Sequence, residues 1–133
     1  MWSWPPPLLC HDGPVHELGL TRAVVQAVGK AAERAGAGGV EAVGLRVGSL
    51  SGAVPDALLG AWPIAAAGTL VAGARLEIET VQAAIWCSGC EAEQVVDQFF
   101  ALKCPVCATP SGQLVRGREF EVAYADLDMP GEA

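Results

Sequence analysis

Across residues 16–35 the apolar positions Leu20, Val24, Val28, Ala31 and Ala35 recur three or four apart, which places them on one face of a helix. Gly36, Gly38 and Gly39 then let the chain turn sharply. Over residues 40–47 the period shortens to two. Val43, Leu45 and Val47 alternate with Gly44 and Arg46, predicting a strand with one buried face. Residues 48–54 read as a turn. Pro55-Asp56 suits a helix start, so residues 57–67 are expected to be helical up to Gly68. Trp62 belongs to the core in this reading. Pro63 removes a helix hydrogen bond and crowds the preceding turn, predicting a kink near Leu59 or an early stop. In Arg75-Leu76-Glu77-Ile78-Glu79-Thr80-Val81 the alternation returns, with Leu76, Ile78 and Thr80 on one face. Residues 119–124 repeat it, with Phe120, Val122 and Tyr124 on the buried side.

Between the second and third strands lie Cys87-Ser88-Gly89-Cys90 and Cys104-Pro105-Val106-Cys107, thirteen residues apart. A Cys-x-x-Cys turn presents two thiolates near one point, and a hairpin-sized spacer brings a second such turn to face it. Four soft sulfur ligands in a closed set select Zn²⁺ and leave no open position, so Cys87, Cys90, Cys104 and Cys107 read as a structural zinc site. Two other readings exist. A thioredoxin-type redox motif would stand singly at a helix start, and two disulfides would need an oxidising compartment. Residues 86–108 hold too few apolar side chains for a core of their own, so metal must supply much of the folding free energy, on the order of 10 kcal/mol. The expected fold is α+β: two helices on a small three-stranded antiparallel sheet, with an inserted zinc-ribbon module built on the four cysteines. The α+β domain comprises residues 15–82 and 115–126, the zinc-binding domain residues 83–114. Residues 1–14 form an extension and 127–133 a tail.

The chain has 133 residues and a formal charge of −7, with 52% hydrophobic residues. Between the cysteine pairs Lys103 faces Glu91, Glu93 and Asp97, and four thiolates on one Zn²⁺ add two more negative charges. Nucleic acid is therefore excluded as a partner. No apolar run approaches the roughly 20 residues that span a bilayer, so no membrane partner is expected. The first fourteen residues lack a basic start and contain three consecutive prolines, unlike a signal peptide, which points to the cytoplasm. Neither a Gly-x-Gly-x-x-Gly fingerprint nor a phosphate loop occurs.

Five stretches then carry a likeness in order: His16-Glu17-Leu18 at a helix start; Arg46-Val47-Gly48-Ser49-Leu50-Ser51-Gly52; Gly68-Thr69; Leu76-Glu77-Ile78; and, beyond the paired cysteines, Gly117-Arg118-Glu119. From about Val15 to Asp126 the chain resembles the HypA/HybF family of hydrogenase maturation factors. The resemblance implies a nickel metallochaperone that helps deliver Ni²⁺ to the large subunit of [NiFe] hydrogenase with the GTPase HypB, and in some organisms serves urease maturation proteins, as a monomer or a homodimer. It also implies that the α+β domain is the nickel-binding one. The family's Met-His-Glu nickel motif falls on Val15, His16 and Glu17. Ni²⁺ accepts a square-planar set of nitrogens, which an α-amino group, backbone amides and one imidazole can supply. His16 would be the side-chain ligand, with Glu17 contributing backbone and its carboxylate tuning the site. Without the resemblance, His16 reads as a solvated or capping residue.

Two departures stand out. His16 lies well inside the chain, while Val15 occupies the place of the family's initiator methionine, and valine is what a GTG start codon yields when read through. Residues 1–14 are thus expected to be disordered or a start-site artefact. In a genuine extension, Cys10 and His11 would replace the amine as ligands. In the second helix, Gly60 and Pro63 stand where the family has good helix formers. Neither histidine has the partners of a catalytic set, so no enzyme is expected. The rival function is a zinc-ribbon protein–protein adaptor that does not bind nickel.

Overall fold

The computed structural model describes residues 13–97 and 100–130, with side chains from residue 17 onward. In chain order the elements are α1 (Gly13–Ala35), β1 (Gly39–Gly48), α2 (Pro55–Ala66), β2 (Arg75–Val81), β3 (Ala84–Cys87), β4 (Ala92–Val95), β5 (Leu114–Arg116) and β6 (Phe120–Asp128). Two three-stranded sheets result, one ordered β2-β1-β6 and one β4-β3-β5. The described residues divide into two compact units: 13–45, 53–78 and 122–130 in the first, and those within 46–52 and 79–121 in the second.

In the first unit α1 buries Leu20, Val24, Val28 and Ala32, and packs against α2. The stripe keeps a four-residue step to Ala32, leaving Ala31 and Ala35 exposed contrary to the expected pattern. A lone methyl carries little burial energy, so alanines at a helix end mark a face weakly. Helix α2 runs through Pro63 to Ala66, and the expected early stop does not occur. Leu58, Trp62 and Ala66 hold it to the core, and burying Leu58 alone contributes about 2 kcal/mol. That is comparable with the cost of an interior proline. Trp62 is buried as expected, and its Nε1–H donates to the Ala74 carbonyl at 2.8 Å.

Strand β1 is buried on both faces, not one: Val43, Gly44 and Leu45 are all inside. The ring of Tyr124 lies directly over Gly44, and the Tyr124 hydroxyl donates to Glu77. Flanking β1, hydrogen bonds rise together on the β2 side, from Val40 N to Leu70 O and from Ser49 N to Val81 O. On the β6 side they run oppositely, from Gly38 N to Asp128 O and from Gly48 N to Glu119 O. The sheet is therefore mixed rather than antiparallel throughout. The α2 crossover between β1 and β2 sets their parallel sense, which alternation of side chains cannot reveal. Strand β6 is an edge strand, and Val122 and Tyr124 are 40% and 44% exposed, which corrects their expected burial. Alternation tells which residues share a face, not whether anything covers it.

The second unit carries three strands that the sequence pattern left as loop. β3 pairs antiparallel with β4, matching Ala84 to Val95 and Cys87 to Ala92, and with β5 through Ile85 and Leu114. Ala83, Ile85, Cys87, Val96 and Cys104 form its core, with Leu50, Cys90, Phe100 and Leu114 packed against them. At its root, Leu50 N–H donates to Gly117 O at 2.7 Å and Ala83 N–H to the Ser49 hydroxyl at 2.9 Å. Gly48 and Gly117 meet backbone to backbone there, and Gly117 has φ 128°. A Cβ on Gly48 would collide with the carbonyl of Gly117, which cannot swing aside as a side chain can. Gly48→Ala is thus expected to lower stability by about 3 kcal/mol in thermal denaturation, the upper part of the overpacking range. An unchanged midpoint would show that this crossing relaxes freely.

Candidate metal centre

Each cysteine pair sits on a tight turn at the edge of the second unit's core. Cys87 ends β3 and is fully buried, and Cys104 is 2% exposed, whereas Cys107 is exposed. All four Sγ atoms lie within 4.8 Å of one another, a group able to hold a metal ion. Cys87 and Cys107 Sγ are 3.5 Å apart and Cys90 and Cys104 Sγ 3.9 Å. Four sulfurs about 2.3 Å from a central Zn²⁺ in a tetrahedron stand about 3.8 Å apart along each edge, so these separations fit such an ion. A disulfide needs about 2.05 Å, and all four thiols are free.

The two turns are built alike. Cys90 N–H points to Cys87 Sγ at 3.3 Å, while Val106 N–H and Cys107 N–H point to Cys104 Sγ at 3.3 and 3.5 Å. Backbone dipoles directed at a sulfur favour its thiolate form. Each turn then leaves through a residue at positive φ, Glu91 at 53° and Ala108 at 65°. Neither is glycine, so each knuckle holds a strained backbone that its surroundings must enforce.

Thr109, two residues past Cys107, places its Oγ1 3.0 Å from Cys107 Sγ. That hydroxyl, with the Thr109 backbone, draws the Cys107 thiol down to about 6. Burial opposes ionisation of Cys104, yet the N–H groups of Cys107 and Val106 hold it below the ordinary thiol value. Cys90, facing Cys107 first and then Cys87, is pushed up to about 12. Cys90 and Cys107 are shifted in opposite directions because they interact with each other and with their neighbours, and a metal ion held by the four sulfurs must displace the thiol protons that remain. Thr109 was missed at the level of sequence, although a hydroxyl two residues beyond a knuckle cysteine is a readable signal.

The nickel-motif residues belong to the first unit. The backbone of Val15 and His16 lies in the first turn of α1, while the His16 side chain, Cys10 and His11 lie outside the described residues. Glu17 is 1% exposed, and its Oε2 accepts the Val54 N–H at 3.0 Å. Val54 is the N-cap of α2 and makes no side-chain cap of its own. Glu17 therefore does from α1 what a capping-box glutamate does from within a helix.

The chain is similar to proteins of one family. Residues 15–127 match the family model HypA, described as hydrogenase/urease nickel incorporation, metallochaperone. Hydrogenase maturation factor HypA of Chloroflexus aurantiacus is 43% identical over 108 residues, covering 81% of this chain and 95% of that protein. Its counterpart from a Roseiflexus species is 39% identical over 114 residues, with 86% and 93% covered. The solution structure of the Ni metallochaperone HypA from Helicobacter pylori aligns with a TM-score of 0.59 over 85% of this chain and 97% of that one. At 16% identity, that likeness speaks to the fold. With the family model spanning nearly the whole chain and relatives above 40% identity, the chain belongs to the HypA family of nickel-incorporation metallochaperones for hydrogenase maturation.

Proposed function

We propose that the chain binds Ni²⁺ reversibly through His16 and the adjoining backbone of Glu17, and passes it to the large subunit of [NiFe] hydrogenase in concert with the GTPase HypB. In organisms with urease the same cargo would serve its maturation proteins. The nickel-binding function would lie within residues 15–82 and 115–126 and the zinc within 83–114, although residues 46–52, 79–82 and 115–121 cluster with the cysteine-bearing unit. Zn²⁺ held by Cys87, Cys90, Cys104 and Cys107 plays a structural part, since four thiolates leave it no open position. The protein acts in the cytoplasm and performs no catalytic step. Among the described residues no helix is long and apolar enough to cross a membrane.

The observation that carries the nickel reading is the placement of His16. It is the second residue of the span matched by the family model, in the first turn of a helix whose next residue is tied to Val54. In a helix that begins at Gly13 the Glu17 amide is bonded within the helix, whereas a chain beginning at position 15 leaves that amide free for a square-planar nickel set.

Titration calorimetry on two forms of the chain tests this reading. A form beginning Met-His16-Glu17 is expected to bind Ni²⁺ more tightly than the 133-residue chain, because a free amine joins the imidazole and two amides. The amine has a pKa of about 8 and the amides must also lose protons, so the gain grows as pH rises through neutrality. Equal affinity at every pH, with loss in the long form on Cys10→Ser and His11→Ala, would show that the amine is not a ligand. No nickel binding by either form would favour the adaptor.

A further inference from the structure

The four sulfurs of the metal centre are held unequally. Cys87 and Cys104 belong to the core of the second unit and Cys90 packs against it, whereas Cys107 is exposed and lies outside that core. Backbone N–H groups point at the sulfurs of Cys87 and Cys104. Beside Cys107 stands a side chain, with the Thr109 Oγ1 3.0 Å from its Sγ. A thiolate has no proton to give, so once that sulfur is ionised on a metal the hydroxyl is the donor.

Thr109 is fixed in this position from two directions. Ala108, at φ 65°, turns the chain back after Cys107. The Thr109 carbonyl then accepts the Cys104 N–H at 2.8 Å, Lys103 pairs with Pro110 in an antiparallel bridge, and Ser111 N–H donates to the Leu102 carbonyl at 2.8 Å. Residues 102–104 and 109–111 thereby close a small hairpin around the second knuckle. From the first knuckle Gly89 faces the same hydroxyl. Its φ lies outside the left-handed region, so conformation does not call for glycine there. Space does, because a Cβ on Gly89 would collide with Thr109 Oγ1 and come within 3.2 Å of Cys107 Sγ.

We propose that Cys107 is the corner at which the metal centre opens and that the Thr109 hydroxyl is the latch holding it closed, with Gly89 leaving the space the hydroxyl needs. Zinc on the four cysteines is the reading on which this rests. Four thiolates on one Zn²⁺ leave two negative charges in excess, and a donor aimed at a sulfur spreads that charge and orients the ligand. Cys87, Cys90 and Cys104 are restrained by the core as well. Cys107 has no such packing, so loss of the hydroxyl should free this sulfur before the others.

Alkylation of the zinc-loaded 133-residue chain by limiting iodoacetamide, mapped by peptide mass spectrometry, tests the latch. Of the four cysteines Cys107 is expected to react first. Thr109→Val keeps the branched shape without the hydroxyl and should speed alkylation of Cys107 about tenfold. Thr109→Ser restores the donor and should stay within about twofold of wild type, which a purely steric role for the Thr109 methyl would not allow. Gly89→Ala forces the hydroxyl aside and should match Thr109→Val. Equal Cys107 rates in wild type and Thr109→Val, a rate in Thr109→Ser as fast as in Thr109→Val, or first reaction at another of the four would overturn the latch. Gly89→Ala reacting at the wild-type rate would overturn the part given to Gly89. Native mass spectrometry of each sample separates two kinds of failure: a wild-type chain that carries zinc and gives one of these results loses the latch alone, while one that carries no zinc loses the four-cysteine reading with it.

Discussion

Replacing Cys104 by alanine is expected to release the bound zinc and unfold the second unit while the helices of the first unit persist. Cys104 is 2% exposed and belongs, with Cys87, to the small core that also holds Ala83, Ile85 and Val96. Metal binding by such a site contributes on the order of 10 kcal/mol to folding. Burial of one branched side chain contributes about 2 kcal/mol, against an entropy cost of about 1–2 kcal/mol for every residue ordered. Ile85, Val96 and Leu114 cannot hold residues 79–121 without the metal. Cys107→Ala separates the two causes, because Cys107 is exposed and lies outside the core. If metal rather than packing sustains the unit, Cys107→Ala should unfold it as well. Native mass spectrometry gives zinc content and amide exchange gives the folded extent. Full zinc retention in Cys104→Ala would refute the four-cysteine assignment, and loss of all helical circular dichroism would mean that the units fold as one.

His16→Ala is expected to weaken Ni²⁺ binding by at least about 100-fold and leave zinc content unchanged. The imidazole is the one neutral side-chain nitrogen in the proposed nickel set, and deprotonated amides alone compete poorly with water near neutral pH. The zinc site draws its ligands from sulfur in the other compact unit, so the two metals should respond independently. Since Glu17 Oε2 still accepts from Val54 in this variant, the helix start remains in place and the thermal midpoint should shift by less than about 0.5 kcal/mol equivalent. Equal nickel isotherms for wild type and variant would remove His16 from the site.

Much of this arrangement was legible in the chain because strong local signals and tertiary structure agree. The Cys-x-x-Cys spacing located all four sulfurs that converge, and alternation located β1, β2 and β6. Weaker signals failed for identifiable reasons. β3, β4 and β5 are three or four residues long and take their stability from a metal-linked core, so they leave little periodicity. Pro63 was read for its local cost, yet the burial of Leu58 and Trp62 decides the outcome. The capping bond from Glu17 to Val54 joins residues 37 apart in sequence, and only the pairing of α1 with α2 reveals it. Gly48 and Gly117 figured in the family likeness without a stated role, which their backbone contact now supplies.

The most direct test of nickel delivery is the nickel content of the hydrogenase large subunit, purified from cells lacking their own copy of this gene and grown in low-nickel medium. Delivery through His16 predicts a nickel-loaded subunit when the wild-type chain is supplied, and a nickel-poor one with His16→Ala that high external nickel partly refills. A large subunit that stays nickel-free with the wild-type chain, or fills equally with either chain, would contradict it.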